Sequence, residues 1–151
     1  MSTTQASAES PTAPPRFDTK VVVLLNDDLA AWQELNVTAF LMSGIAVSGA
    51  DLTGEPYRDA DGTEYLPMLR QPVLVMTGDS ELLGMVRTKA SARDDVALAI
   101  YTRDLFATGH DQANRAAVAG VASADLDLVG IALRGPRNAV DRFLKGARLH
   151  A

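Results

Sequence analysis

Four apolar runs alternate along the chain with longer stretches whose apolar positions recur at helical spacing. The runs are Lys20–Leu25 (Lys-Val-Val-Val-Leu-Leu), Pro72–Thr77, Val96–Tyr101 and Leu126–Leu133. Near-continuous hydrophobicity over so few residues, without in–out alternation, marks strands buried on both faces. The intervening stretches predict helices over Leu29–Ala46, Glu81–Arg93 and Asp111–Ala124, and a last one opened by Gly135-Pro136 and stopped by Gly146. Asn26-Asp27-Asp28 and Gly78-Asp79-Ser80 offer caps for the first two, and proline suits the first turn of the last. Pro56–Leu66 reads as a small hairpin turning at Asp61-Gly62. Strand and helix repeated four times predict an α/β fold, a three-layer α/β/α sandwich.

The first predicted helix does not divide cleanly into wet and dry sides. At about 100° per residue, Leu29, Trp32, Gln33, Asn36, Val37, Phe40 and Gly44 share one face. Gln33 and Asn36 stand out there, because buried amides need partners. Leu35, Leu41 and Met42 lie opposite, which predicts cover on both sides, by a layer of the fold or by a second subunit in a homodimer.

Composition narrows the class. Met1–Arg16 is rich in Ser, Thr, Ala and Pro, has almost nothing to bury and lacks the apolar segment of a secretory signal, so it reads as a disordered tail ahead of one domain at 17–151. No apolar run reaches the roughly 20 residues that span a bilayer. The chain has no cysteine, which excludes disulfides, thiolate metal sites and cysteine nucleophiles and fits a cytoplasmic location. A net charge of −5 argues against a nucleic-acid partner gripped through its phosphates.

Convergent polar chemistry is densest in Tyr101–Arg115, between the third strand and the helix after it, where α/β proteins usually place their sites. Asp104 stands just past the strand end and is the candidate general base. Thr108 is a candidate hydrogen-bond donor, His110 a candidate proton carrier, and Asn114 and Arg115 candidate ligand-binding groups, Arg115 for an anion. Asp28, Gln33 and Asn36, after the first strand, would complete the site if strands one and three run parallel and side by side. The rival assignments are helix caps, turn-stabilising side chains and ion pairs. No cofactor motif occurs: the chain has neither a phosphate-binding glycine loop nor a dinucleotide fingerprint. Asp59-Ala60-Asp61-Gly62 imitates the start of a calcium loop, but the twelfth position is Arg70 and not Glu, so it reads as a turn. Neither it nor the two histidines make a metal site.

Two segments together carry a family resemblance: Asn26-Asp27-Asp28-Leu29 with Trp32–Leu41, and Ala99–Gly109 with Asn114-Arg115. With Gly54-Glu55-Pro56-Tyr57, Gln71-Pro72-Val73, Asp127-Leu128-Val129-Gly130 and Lys145-Gly146, they resemble the bacterial domain-of-unknown-function family number 2000 over nearly all of Asp18–His150. The resemblance implies a fold similar to type II peptidyl-tRNA hydrolases, with a four-stranded mixed sheet whose last strand is antiparallel. Asp28-Leu29 matches those enzymes' Asp-Leu pair, and Asp104-Leu105-Phe106-Ala107-Thr108 keeps the Asp and Thr of their loop. Their functional lysine is not matched, since Leu35 or Asn36 stands in its place. The resulting expectation is a pocket protein that binds or hydrolyses a small acyl- or amide-type ligand at the C-terminal ends of strands one and three. The alternatives are peptidyl-tRNA hydrolase-like activity and a non-enzymatic dimeric binding module.

Overall fold

The computed structural model describes residues 15–151, so the expected tail at 1–16 lies outside the described residues except for its last two. A five-stranded mixed sheet is built from β1 (Thr19–Asn26), β4 (Val73–Gly78), β5 (Ala97–Thr102), β6 (Leu128–Pro136) and β7 (Arg148–Leu149), in the order β5-β6-β1-β4-β7. A separate two-stranded hairpin pairs β2 (Tyr57–Arg58) with β3 (Glu64–Tyr65). The expected hairpin is present. Its Gly62 takes φ +83° in the turn, and the Asp59 carboxylate, accepting from the Tyr65 hydroxyl and from the Thr63 and Asp61 amides, is held below its usual pKa.

β1 runs parallel to β4 and antiparallel to β6, which is in turn antiparallel to β5. Strands one and three of the sequence reading, β1 and β5, therefore point the same way but are not adjacent. β6, the last of the four expected strands, takes the slot between them, where it is buried over Leu128–Leu133. The fifth strand, β7, is an addition to the expected four. It pairs antiparallel with Met76 and Thr77 of β4, and the pairing is extended by His150 N–H donating to Val75 O at 3.0 Å. Two residues are too short for a periodic signal to reveal.

The helices are α1 (Ala31–Ala46), α2 (Ser80–Ser91), α3 (Asp111–Ala119) and α4 (Arg137–Phe143). Alternation along β1 divides the core into two layers of side chains. Val22 and Leu24 pack with Leu83, Val86, Val140 and Phe143 of α2 and α4, whereas Val21, Val23 and Leu25 pack with Val37, Leu41 and Ile45 of α1. Helices thus flank both faces of the sheet, and among the described residues α1 stands alone on one of them. It comes close to β6 because Gly130 has no side chain: a Cβ there would lie 2.5 Å from Val37 Cγ1.

Several local expectations are corrected. The N-cap position of α1 is Ala30, not Asn26-Asp27-Asp28, and Gln33 Oε1 accepts the Ala30 N–H at 2.9 Å. Asn26 is buried instead: its Nδ2 donates to Ser80 Oγ at 2.8 Å and to Leu128 O at 3.3 Å, tying the end of β1 to α2 and β6. The inward row of α1 is Val37, Leu41 and Ile45, so Leu41 faces in while Trp32, Phe40 and Leu35 are exposed. α3 stops at Ala119, where Gly120 caps it, and a 3-10 turn at Ser123–Asp125 delays β6 to Leu128.

Candidate functional site

After β5 the chain makes a 3-10 turn, Arg103–Phe106, and reaches α3 through a short loop. Leu105 and Phe106 of that turn fold back toward α1. Phe106 meets Trp32 edge-on at a centroid distance of 5.6 Å and Tyr101 at 5.3 Å, and Phe40 lies 6.0 Å from Tyr101. Four of the chain's eight aromatic residues thus form one cluster. In a protein whose aromatics make up only 5 % of the sequence, that concentration singles out the place. Beside the cluster opens a pocket of about 310 Å³, whose polar lining comes from Asn36, Thr108, His110, Asp111 and Asn114. Its volume is at the small end of ligand sites.

The hydrogen bonds within this lining decide what is left for a ligand. Tyr101, buried and with its hydroxyl pKa raised by that burial, donates to Asn36 Oδ1 at 3.4 Å. Asn36 keeps its Nδ2 donors. Thr108 Oγ1 lies 3.0 Å from Leu105 O and in contact with Asn114 Oδ1, so Asn114 also keeps its Nδ2 donors. His110 Nδ1 accepts the Ala113 N–H at 3.2 Å as the N-cap of α3. That bond places the proton of the neutral ring on Nε2. His110 therefore offers a donor, and the nitrogen that could accept a proton is already engaged. No lysine or arginine lines the pocket.

Of the sequence-predicted residues, Asn36, Thr108, His110 and Asn114 come together in this lining, and Asp28, Gln33, Asp104 and Arg115 do not. Gln33 is spent on the entry to α1. Asp28 does reach the end of β5, but it pairs there with Arg103 at 3.0 Å, and the same guanidinium holds Asp127 at 3.0 Å. Despite partial desolvation, these two carboxylates raise the Arg103 pKa. Asp104 is exposed in the 3-10 turn, its backbone oxygen accepting the Ala107 N–H. Arg115 forms an exposed i,i+4 pair with Asp111 at 2.8 Å. Sequence reasoning missed the aromatic wall, because Trp32 and Phe40 read as core. Their signal was the company of Asn36 on the same helical face. Among the described residues, no three His, Asp or Glu side chains gather as a metal site would require, and no helix is long and apolar enough to cross a membrane.

Fold and site together define a mixed α/β protein with an aromatic-walled, donor-rich pocket beside its edge strand. The family model described as protein of unknown function DUF2000 matches residues 19–151, and the chain belongs to that family. A solved structure, that of the protein of unknown function Atu0240 from Agrobacterium tumefaciens strain C58, is 48 % identical. The match covers 90 % of this chain and all of that one, with a TM-score of 0.86. No curated protein matches the chain.

Proposed function

We propose that the protein binds a small, uncharged acyl- or amide-type ligand in the pocket between α1 and the loop after β5. One observation carries this reading: Asn36, Asn114 and His110 each keep N–H donors toward the pocket, while the only charged side chain on the lining is the Asp111 carboxylate, paired with Arg115, and no cation lines it. Carbonyl oxygens satisfy such donors, whereas a carboxylate or phosphate would enter without a counter-charge. The aromatic wall suits a flat or apolar portion of the same ligand. The cysteine-free composition suits a cytoplasmic protein.

A paired titration followed by amide NMR tests it, with N-acetyl-phenylalanine amide against N-acetyl-phenylalanine at neutral pH. The amide is expected to perturb the pocket residues and to bind more tightly than the acid. Asn36→Leu and Asn114→Leu should each weaken it by about 1–3 kcal/mol, the cost of leaving the ligand's carbonyl oxygen without its donor. Preference for the acid, or equal binding by both variants, rejects the reading.

Hydrolysis of such a ligand, including peptidyl-tRNA hydrolase-like activity, is the second reading. It is favoured by Asp104, which belongs to the same 3-10 turn as the pocket residues Leu105 and Phe106. As a base, Asp104 would act through a bridging water, since it does not line the pocket itself. Arg115 could anchor an anion after releasing Asp111, an exposed pair worth only a few tenths of a kcal/mol. Release of an N-blocked amino acid from its tRNA, lost in Asp104→Asn, is the expected outcome. Turnover that survives Asp104→Asn removes this assignment. A dimeric binding module is the non-enzymatic form of the same idea.

A further inference from the structure

On the side of α1 away from the pocket lies a larger and chemically different opening, a cleft of about 590 Å³ between the helix and β4. Leu25 and Val75 form its floor, Ala31, Leu35 and Ala39 its helical wall, and one end is closed by Glu34 in contact with His150. Three features describe what the cleft lacks. First, among the described residues α1 is the only helix packed on this face of a five-stranded sheet, and it packs on β5, β6 and β1, so Val73 and Val75 of β4 are only partly covered. Sheets of this architecture are ordinarily covered on both faces. Second, α1 carries one charged residue in sixteen, Glu34, although Leu35 is 74 % exposed. A helix that is apolar all round is normally buried all round. Third, a protruding Leu and a hole edged by alanines occur side by side on one surface.

We propose that this face of α1 is where two copies of the chain associate, Leu35 of each copy entering the α1–β4 cleft of the other. Knob and hole on the same patch are what a two-fold interface requires, because each copy presents the identical surface. The missing second helix of this layer is then supplied by the other copy's α1. Charge supports a second copy over a charged partner. The molecule carries −5, but the one charge on this helix is matched by His150, so two such faces meet without repulsion and offer nothing for an acidic or basic peptide to pair with. The surface and the ligand pocket lie on either side of the row Val37, Leu41 and Ile45, so either assignment can fail alone.

Sedimentation equilibrium of the full chain from nanomolar to about 100 μM tests it, a range that covers interfaces of ordinary size. The expected result is a species of twice 16.0 kDa. Leu35→Lys should weaken association roughly 30-fold or more, as loss of a central anchor does. Leu149→Lys, also exposed but with its side chain on the Met76 side of the sheet, and Asn114→Leu, in the pocket, should leave association unchanged. The chain has no cysteine, so Ala39→Cys provides a single thiol that a short bis-maleimide should link between copies. Circular dichroism confirms that each variant is folded. A 16.0 kDa species at every concentration overturns the proposal, including one that takes up an apolar dye in the cleft. So does a dimer indifferent to Leu35→Lys or unlinked through Ala39→Cys.

Discussion

Gly130, Gly84 and His150 show how differently single positions are constrained. Gly130 sits where α1 crosses β6, and a Cβ there would meet Val37 Cγ1 at 2.5 Å and Leu41 Cδ1 at 3.1 Å. Gly130→Ala should therefore cost about 1–3 kcal/mol by overpacking, measured by urea unfolding. Gly84 lies in α2 with nothing within 4 Å of a built Cβ, so Gly84→Ala should stabilise by roughly 0.5–1 kcal/mol through helix propensity alone. A destabilised Gly84→Ala would contradict that account. His150 has its pKa raised above the ordinary value, first by its contact with the Ala151 backbone and then by Glu34. The stabilisation it supplies is complete below the unfolded-state pKa and is lost as pH rises through the elevated folded-state value. Its NMR titration midpoint should fall in Glu34→Gln. With only one other histidine in the chain, His150→Gln assigns the signal.

At the scale of elements, α1 organises the molecule. One row, Val37, Leu41 and Ile45, anchors it, so Leu41→Ala should cost 2–5 kcal/mol, or roughly that, and lower the thermal midpoint by several degrees. The two flanks of α1 lead to the two openings, the pocket on the side of Asn36 and the cleft on the side of Leu35. Its periodicity was readable, but the direction of its buried face was not. With apolar residues nearly all round, the sequence supports several faces equally, and close packing against Gly130 selects one of them. β7 was hidden for the opposite reason. Two residues carry no pattern, and its existence depends on the free edge of β4.

At the scale of the whole molecule, half of the expected site assembles. Asn36, Thr108, His110 and Asn114 line one pocket because α1 lies over β5 and β6, which brings the helix after the first strand to the loop after β5. Asp28 takes the other route open to a residue at a strand end, an ion pair with Arg103. Tyr101→Phe should keep the fold and remove the bond that orients Asn36. In the amide titration it should behave as a weaker form of Asn36→Leu, and wild-type affinity in Tyr101→Phe would show that the orientation of Asn36 is immaterial.

The residues alone determined the apolar strands, the helices between them, the hairpin and the polar stretch where a pocket would lie. These depend on local periodicity, capping and turn chemistry, all of which are encoded within a few residues of where they act. Tertiary structure decided the insertion of β6 between β1 and β5, the gathering of four dispersed aromatics, and the division of eight candidate polar residues into four on a donor-rich lining, one at a helix entry, two in ion pairs and the exposed Asp104. Those outcomes depend on contacts between segments far apart in sequence, where geometry selects one partner from several that are chemically equivalent.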